Sequence, residues 1–397
     1  MKTIGIIGSG GIDALFSSNQ VQQNQLDTLS NSALSRGITF YQNGNYDAAV
    51  KEFQRSIAIS PNSSYTQDSY NYLVQSLLKQ NRTDDAIKAC NQAIKSDPTN
   101  DSYHSTLGDI YFSLDRYDDA AAEYNQAVRL DPTSESNWYS LGQAYNQTGN
   151  YAGAEQAFQK IKNQEPLDAA FGLGQTYHLM GRYNDAVSEL QSAITINPKL
   201  GYAYLELGRV YTDQKEFDKA KEQVSTLSNI DQSLASQLSS YINHNESPQI
   251  IAAYSTDFNS TAGPGTKLSD LDPTLANPDS SKDFTMKFIF SKGMDASTVR
   301  SLSNWSINRA YGITPGGDYN WGLPLASTEV TISSIPLSVV YDEGSQTAEV
   351  KFRVTQNTSG DGTLDPSHLV FAFHGLDAYG KAMNAAADQY SGISKIV

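Results

Sequence analysis

Cysteine is almost absent from this sequence of 397 residues, in which Cys90 is the single thiol. One cysteine excludes an intrachain disulfide and any zinc or iron–sulfur site built from several thiolates. The stability of the fold must therefore come from packing and hydrogen bonding.

Positive charge and long apolar runs are also scarce. The 28 Lys and Arg residues stand against 43 Asp and Glu residues, which gives a formal net charge of -15. This charge repels phosphate backbones and anionic lipids, so we expect no nucleic-acid partner. No run approaches the roughly 18 to 20 apolar residues that span a bilayer, so we expect no membrane insertion.

Residues that would carry catalysis, metal binding or cofactor binding are not grouped in any recognisable pattern. The five histidines lack metal-ligand spacing such as H-x-x-x-H. No nucleophile, base and orienting group converge in the sequence, so we expect neither an enzyme nor a metal or cofactor site. Gly8 and Gly10 begin a dinucleotide-type glycine loop, but Asp13 stands at its third glycine position and no βαβ context follows.

The first 29 residues lie before any repeat and are interpreted as an N-terminal arm. Its β-branched run Ile4–Ile7 has the pattern of an edge strand that pairs with another subunit, which predicts self-association through the arm. The arm lacks the apolar core and cleavage site of a secretory signal. If the chain is exported, we expect a leaderless route or a leader already removed.

Internal repetition organises residues 30–245. Alanines followed four residues later by a large side chain recur at intervals of 37, 34, 34, 32 and 34 residues, namely Ala49, Ala86, Ala120, Ala154, Ala186 and Ala220. A Leu-Gly-x-x-Tyr motif precedes four of them, as in Leu141, Gly142 and Tyr145. A proline follows five of the six, as Pro166 does, where a second helix would end.

This pattern resembles the tetratricopeptide repeat, with six units and a capping helix over residues 233–245. The resemblance implies an all-α superhelix of helix pairs, in which the first helix of each pair lines an inner groove that binds a peptide or partner helix. By register, the groove residues are Asn71, Gln75, Tyr139, Gln143, Asn146, Phe171, Gln175, His178, Tyr202 and Arg209. Because Arg209 and Lys79 are the basic groups there, an acidic-tail ligand is not expected. Either an extended backbone or an uncharged helix suits such a groove, and the alternative is a repeat array that acts as a spacer.

Alternation with a period of two replaces helical periodicity in the remainder of the chain. Residues 246–283 contain four prolines and are interpreted as a linker or a loop-rich first strand, with Ile250–Tyr254 as a candidate edge strand. Residues 284–397 then give six or seven short strands, including one at Val330–Ile332. Such spacing predicts an antiparallel β-sandwich.

Two segments of this part resemble bacterial Ig-like domains of surface-layer proteins. Phe290–Val299 with Asn304–Ile307 is similar to their opening, and Gly375–Lys381 is similar to their final turn. The resemblance implies an extracellular or cell-surface location in a bacterium; a cytoplasmic location is the alternative. The insertion from Tyr311 to Leu325 is predicted to protrude, with Tyr319 and Trp321 either as exposed contact anchors or packed back on the sheet.

The sequence thus predicts a multidomain, non-enzymatic scaffold. Its repeats would bind a protein or peptide partner, and an Ig-like sandwich would present or anchor them outside the cell. Two alternatives stay open. One is a structural subunit of a surface or flagellum-like assembly, and the other is a carbohydrate-binding envelope accessory protein that uses Tyr319 and Trp321.

Overall fold

The computed structural model describes residues 9–311 and 317–392, with side chains from residue 19 onward. Contacts group the chain into two compact units, Met1–Val210 and Tyr211–Val397, and the division falls inside a helix. The long helices of the described residues are α1 Ser9–Gln42, α2 Tyr46–Ile59, α3 Thr66–Lys79, α4 Thr83–Ser96, α5 Asp101–Ser113, α6 Tyr117–Leu130, α7 Glu135–Thr148, α8 Tyr151–Ile161, α9 Pro166–Leu179, α10 Tyr183–Ile196, α11 Gly201–Asp213, α12 Phe217–Ser228 and α13 Gln232–Asn245.

These helices confirm six pairs followed by a thirteenth helix. We call the first helix of each pair the A helix and the second the B helix. Glycine lets the two approach closely: a Cβ on Gly142 of α7 would lie 2.7 Å from the ring of Phe158 on α8, and one on Gly108 would meet Tyr124 at the same distance. Small residues on the A helix and aromatic residues on the B helix therefore fit together as predicted.

The turn between the A and B helices of every pair contains one residue with left-handed backbone geometry. Glycine takes this place in three pairs, and larger residues take it in the other three: Gly44, Asn81, Asp115, Gly149, Gly181 and Lys215. The left-handed residue ends the A helix because it lets backbone N–H groups bond to the last carbonyls of that helix. Asn150 N, for example, donates to Tyr145 O at 2.9 Å.

Helix α1 is far longer than the other A helices. It continues without a break from Ser9, so the described part of the predicted N-terminal arm is helical, whereas Ile4–Ile7 lies outside the described residues. Gln23 and Asp27 both contact the hydroxyl of Ser60 at the end of α2, at 2.8 and 2.7 Å. The N-terminal part of α1 therefore extends past the end of its partner α2 by about the length of another B helix.

The second unit contains nine short strands within the described residues. They are β1 Ile250–Tyr254, β2 Thr266–Lys267, β3 Ser281–Phe290, β4 Trp305–Arg309, β5 Ser338–Asp342, β6 Thr347–Thr355, β7 Thr363–Leu364, β8 Leu369–Phe373 and β9 Gln389–Tyr390. Strands β1-β3-β6-β5 form one antiparallel sheet, β4-β8-β9 form another, and β2 pairs with β7. Two short helices, α14 Leu268–Leu271 and α15 Ala296–Arg300, lie in the connections.

Aromatic side chains fill the space between the two larger sheets. Trp305 of β4 is buried and lies 5.1 Å from Phe288 of β3 and 4.6 Å from Phe373 of β8, measured between ring centroids. Phe288 also lies 5.8 Å from Phe371. The predicted alternation is confirmed in β3 and β6, whose buried residues share this core. Phe371 and Phe373 of β8 belong to the same core, but Ala372 between them is buried as well.

The expected strand at Val330–Ile332 is wrong. Val330 N donates to Thr363 O, whereas Ile307 N of β4 donates to Ser334 O, so this stretch bonds to two different strands and no regular ladder forms. Ile250–Tyr254, by contrast, is the edge strand β1, so part of the predicted linker belongs to the sheets.

Helix α13 is tied to the sandwich by a buried lysine. Lys292 Nζ donates to Asn243 O at 2.6 Å and to Glu246 O, and it pairs with Asp377 Oδ2 at 2.5 Å. The Asp377 side chain is fully buried, and Tyr379 packs edge-on against the His244 ring. The end of the helical region and the sandwich thus share one compact unit.

Candidate partner-binding surface of the repeats

The A helices of neighbouring pairs are joined by hydrogen bonds between uncharged side chains. Between α7 and α9, Gln143 Nε2 donates to Gln175 Oε1 at 3.2 Å, and it donates to Tyr139 OH at the same distance. Thr176 Oγ1 donates to Asn146 Oδ1 at 3.0 Å. Four of the predicted groove residues therefore lie together on adjoining A helices. We call the face formed by these helices the A-helix surface.

The same surface continues to α5 on one side. Asn137 Nδ2 of α7 donates to Asp101 Oδ2 of α5 at 2.8 Å, and Ser105 donates to Asn137 Oδ1. Asn137 is buried, so this contact fixes the spacing of the two helices rather than offering a free group to a ligand. Asp101 and Asn137 were not predicted as groove residues, because they lie nearer the start of their helices than the positions chosen by register.

On the other side, His178 of α9 contacts α11. Its Nδ1 lies 2.7 Å from Glu206 Oε1, and Arg209 Nη1 lies 3.6 Å from Glu206 Oε2. Glu206 was not predicted, although its position three residues before Arg209 on one helix is the signal that pairs them. This carboxylate offsets the positive charge of Arg209.

The remaining predicted residues differ in how much side chain they offer. Tyr202 is 61% exposed and Gln75 is also exposed, whereas Asn71 is half-buried. Tyr139 packs edge-on against Phe158, and burial raises the pKa of its hydroxyl. Phe171 packs against the alanines Ala170, Ala193 and Ala203. Tyr139 and Phe171 therefore contribute to packing as well as to the surface.

Tyr319 and Trp321, predicted either as exposed contact anchors or as packed on the sheet, differ in the structure. Trp321 is 62% exposed, but Tyr319 is only 6% exposed. The Tyr319 hydroxyl donates to Glu329 and accepts a bond from Asp365 N at 3.0 Å, and Arg309 lies over its ring at 4.9 Å. The prediction of Tyr319 as an exposed anchor is wrong, because this polar network holds its ring inside. Burial also raises the pKa of Tyr319.

Two further features concern the described residues alone. No group of three or more His, Cys, Asp or Glu side chains there is arranged to hold a metal ion. None of the helices in this part of the chain combines the length and the apolar character needed to cross a membrane.

Comparison with known families identifies the helical region. Models described as tetratricopeptide repeat or TPR repeat match residues 40–110, 108–149, 136–166 and 177–239. The helical part is therefore built of tetratricopeptide repeats, a fold that generally mediates protein–protein interactions and is typical of non-enzymatic scaffolds. No curated protein matches the sequence.

Solved structures of repeat proteins are similar to the helical region. A tetratricopeptide repeat protein from Parabacteroides merdae is 17% identical, with a TM-score of 0.49 over 54% of this chain and 86% of that one. MamA is 26% identical, with a TM-score of 0.38 over 41% and 97% of the two chains. YrrB, described as a TPR protein with an unusual peptide-binding site, is 19% identical, with a TM-score of 0.39 over 48% and 100%.

Proposed function

We propose that the A-helix surface binds an uncharged peptide or partner helix. The observation that carries this proposal is the run of neutral amide, hydroxyl and aromatic side chains across α7 and α9, centred on the Gln143–Gln175 contact. Amides both donate and accept hydrogen bonds, so they suit a peptide backbone, and exposed Tyr202 adds an aromatic contact.

Electrostatics supports an uncharged ligand over an acidic one. Arg209 is balanced by Glu206, and the chain as a whole carries a net charge of -15. An acidic peptide would meet repulsion at long range and would find no unbalanced cationic cluster among these groove residues. Binding should consequently depend on contact area and amide hydrogen bonds.

Selection from a displayed library of random 12-residue peptides, with the full chain as bait, tests this proposal. Retained peptides should be poor in charge. Tyr202→Ala and the pair Gln143→Ala with Gln175→Ala should each weaken binding by at least about 1 kcal/mol, as truncated anchor residues do. Gln126→Ala on the exposed face of α6 is the matched control and should have no effect.

The dependence of affinity on salt distinguishes an uncharged contact from an ionic one. Raising the salt concentration to 0.5 M, roughly a 4 Å screening length, should leave an uncharged contact nearly unchanged. A steep loss of affinity with salt, or equal binding by the Gln143 and Gln175 variant, would contradict the proposal.

We further propose that the strands of the second unit form an Ig-like sandwich that presents the repeats at a bacterial surface. Its sheet orders, β1-β3-β6-β5 and β4-β8-β9, correspond to the ABED and CFG sheets of constant-type Ig domains, which have a buried tryptophan on strand C, as Trp305 is here. The low charged fraction of 18% is in keeping with an exported protein. Protease treatment of intact cells, with a lysed-cell control, tests the location: protection in intact cells would argue for the cytoplasm.

A further inference from the structure

The loop after Tyr319 has an unusual backbone. Asn320 has φ 52° and ψ 32°, Trp321 has φ 54° and ψ 27°, and Gly322 has φ 73°. Side chains larger than glycine disfavour this left-handed region, and two such residues in succession are strained. Strain of this kind persists only where the surrounding structure enforces it.

A buried carboxylate enforces the turn from below. Asn320 N donates to Asp365 Oδ2 at 2.7 Å, and the Asp365 side chain is almost fully buried. Ser367 Oγ donates to the other oxygen at 2.8 Å, and His368 Nδ1 lies 2.7 Å from Oδ2. Because this network fixes the first strained residue, the side chain of the next one is held outward.

The residues that follow form an apolar tip, defined here as residues 321–325. Trp321 is 62%, Leu323 60% and Leu325 48% exposed, and Gly322 and Pro324 lie between them. The sequence from Asn320 to Ser327 contains no charged residue. Trp321, held by the strained turn, and its neighbours Leu323 and Leu325 form one exposed apolar cluster, which is unlike single apolar residues scattered over a surface.

Four backbone groups of the tip are hydrogen-bonded to neighbouring residues of the same loop. Asn320 Nδ2 donates to Leu323 O at 3.3 Å and to Pro324 O at 3.0 Å. Leu323 N donates to Asn320 O and Trp321 N to Asp318 O, both at 2.9 Å, and Pro324 has no N–H group. These bonds lower the cost of moving these four peptide groups into an apolar medium, where unpaired peptide groups are costly to bury.

The chemistry of the tip decides among ligands. A glycan site needs polar side chains beside the aromatic ring, yet the Asn320 amide nitrogen is committed to Leu323 and Pro324. An anionic headgroup would need Lys or Arg, and the tip has neither. Exposed tryptophan and leucine on an uncharged loop suit the interface of a bilayer, where tryptophan is enriched.

The lack of a spanning segment predicted no membrane insertion, but a short loop can bind a lipid surface without crossing it. We propose that residues 321–325 enter the interface of a bilayer with electrically neutral headgroups, which would anchor the second unit to a lipid surface. This deepens the surface role proposed above and rests on it. The net charge of -15 selects against anionic lipid, so apolar contact alone supplies the attraction.

Flotation of the full-length chain with phosphatidylcholine vesicles tests this inference. The chain should float with the vesicles, and Trp321→Ala should lower the lipid-bound fraction at least about tenfold at subsaturating lipid, as should Leu323→Ser. Val340→Ala is the matched control, because Val340 is 61% exposed on β5 outside the tip, and it should bind like the unmodified chain. Phosphatidylglycerol added to the vesicles should not strengthen binding.

Three outcomes would overturn the inference: no flotation of the unmodified chain, equal flotation of Trp321→Ala, or binding that requires anionic lipid. Circular dichroism of each variant shows whether it is folded. Peptide binding at the A-helix surface and protease accessibility are measured separately, so failure here would leave the proposed function standing, and failure there would not alter vesicle binding.

Discussion

The Cβ that Gly172 lacks would lie 2.4 Å from Cε1 of Phe158, so an A helix touches the aromatic side chain of the preceding pair. Gly142 faces the same ring from its own pair at 2.7 Å. Phe158 is fully buried between the two glycines, and one aromatic ring thereby sets both the spacing within a repeat and the spacing between repeats.

Gly172→Ala is expected to destabilise the first unit. Alanine in a helix interior normally gains about 1 kcal/mol over glycine, but overpacking against Phe158 should cost about 1 to 3 kcal/mol and reverse the sign. Urea unfolding of Gly172→Ala, Phe158→Leu and the double variant measures the coupling between the two sites. Additive effects would show that the ring does not resist the added methyl group.

Substitutions in the turns between A and B helices should change stability in opposite directions, depending on the residue replaced. Lys215 is exposed and has φ 63°, so Lys215→Gly should stabilise the second unit by up to about 1 kcal/mol by removing left-handed strain. Gly181 has φ 72° and open space around it, so Gly181→Ala should destabilise the first unit by about 1 kcal/mol through conformation alone. Thermal melts that shift in the same direction for both variants would argue against this account.

Alkaline pH should weaken the first unit. Burial, with a smaller effect from Glu123, raises the pKa of the Cys90 thiol from 9.0 to about 12, and burial raises the pKa of Tyr103 to about 12. The unfolded chain loses these protons at lower pH than the folded chain, so the stabilisation is complete below about pH 9 and is lost as pH rises toward 12. The urea midpoint should stay nearly level from about pH 8 to 9 and then fall as the pH rises from about 9 to 11.

The same thiol reports on opening of the second repeat. At pH 8 a thiol with a pKa of about 12 has about 1,000-fold less thiolate than one at 9.0, so Cys90 should react with a maleimide far more slowly in the native chain than in urea. Equal rates would show that Cys90 is accessible in the native state.

Lys292→Met should loosen α13 from the sandwich. The change leaves the buried Asp377 without its charge partner, and loss of one member of a buried pair commonly costs about 3 to 5 kcal/mol. Hydrogen exchange should increase most in α13, whose last carbonyls lose their donor. Adding Asp377→Asn should restore part of the stability, since the amide oxygen can still accept from Tyr379 N and Lys381 N. If Asp377→Asn does not restore stability, the charge pair is not the cause.

The repeats could be predicted from sequence because their packing is local and periodic. The positions of Gly142 and Phe158 recur at the repeat interval, so the packing of one helix pair predicts the packing of the others. Gln143 and Gln175 occupy the same register one repeat apart, which is why their meeting was predictable. Glu206 was missed because its role comes from the neighbouring His178, which a single helix pattern does not show.

The strands were predictable where buried and exposed residues alternate strictly, as in β3. They were not predictable where contacts of the loops determine the backbone hydrogen bonds. Val330 and Ile332 have strand-forming side chains, but their backbone bonds go elsewhere. The sequence around Tyr319 is typical of an exposed loop, but its burial depends on Asp365, which follows it by 46 residues. Distant polar partners of this kind leave no local periodicity.

At the centre of the β region, the ring of Phe288 on β3 lies 5.1 Å from Trp305 on β4 and 5.8 Å from Phe371 on β8, measured between ring centroids, and the sequence has no cysteine beyond Cys90. The ring contact needs no oxidant to form. Folding of this unit should therefore proceed equally well in reducing and oxidising surroundings, and a reductant such as dithiothreitol should leave its refolding yield unchanged.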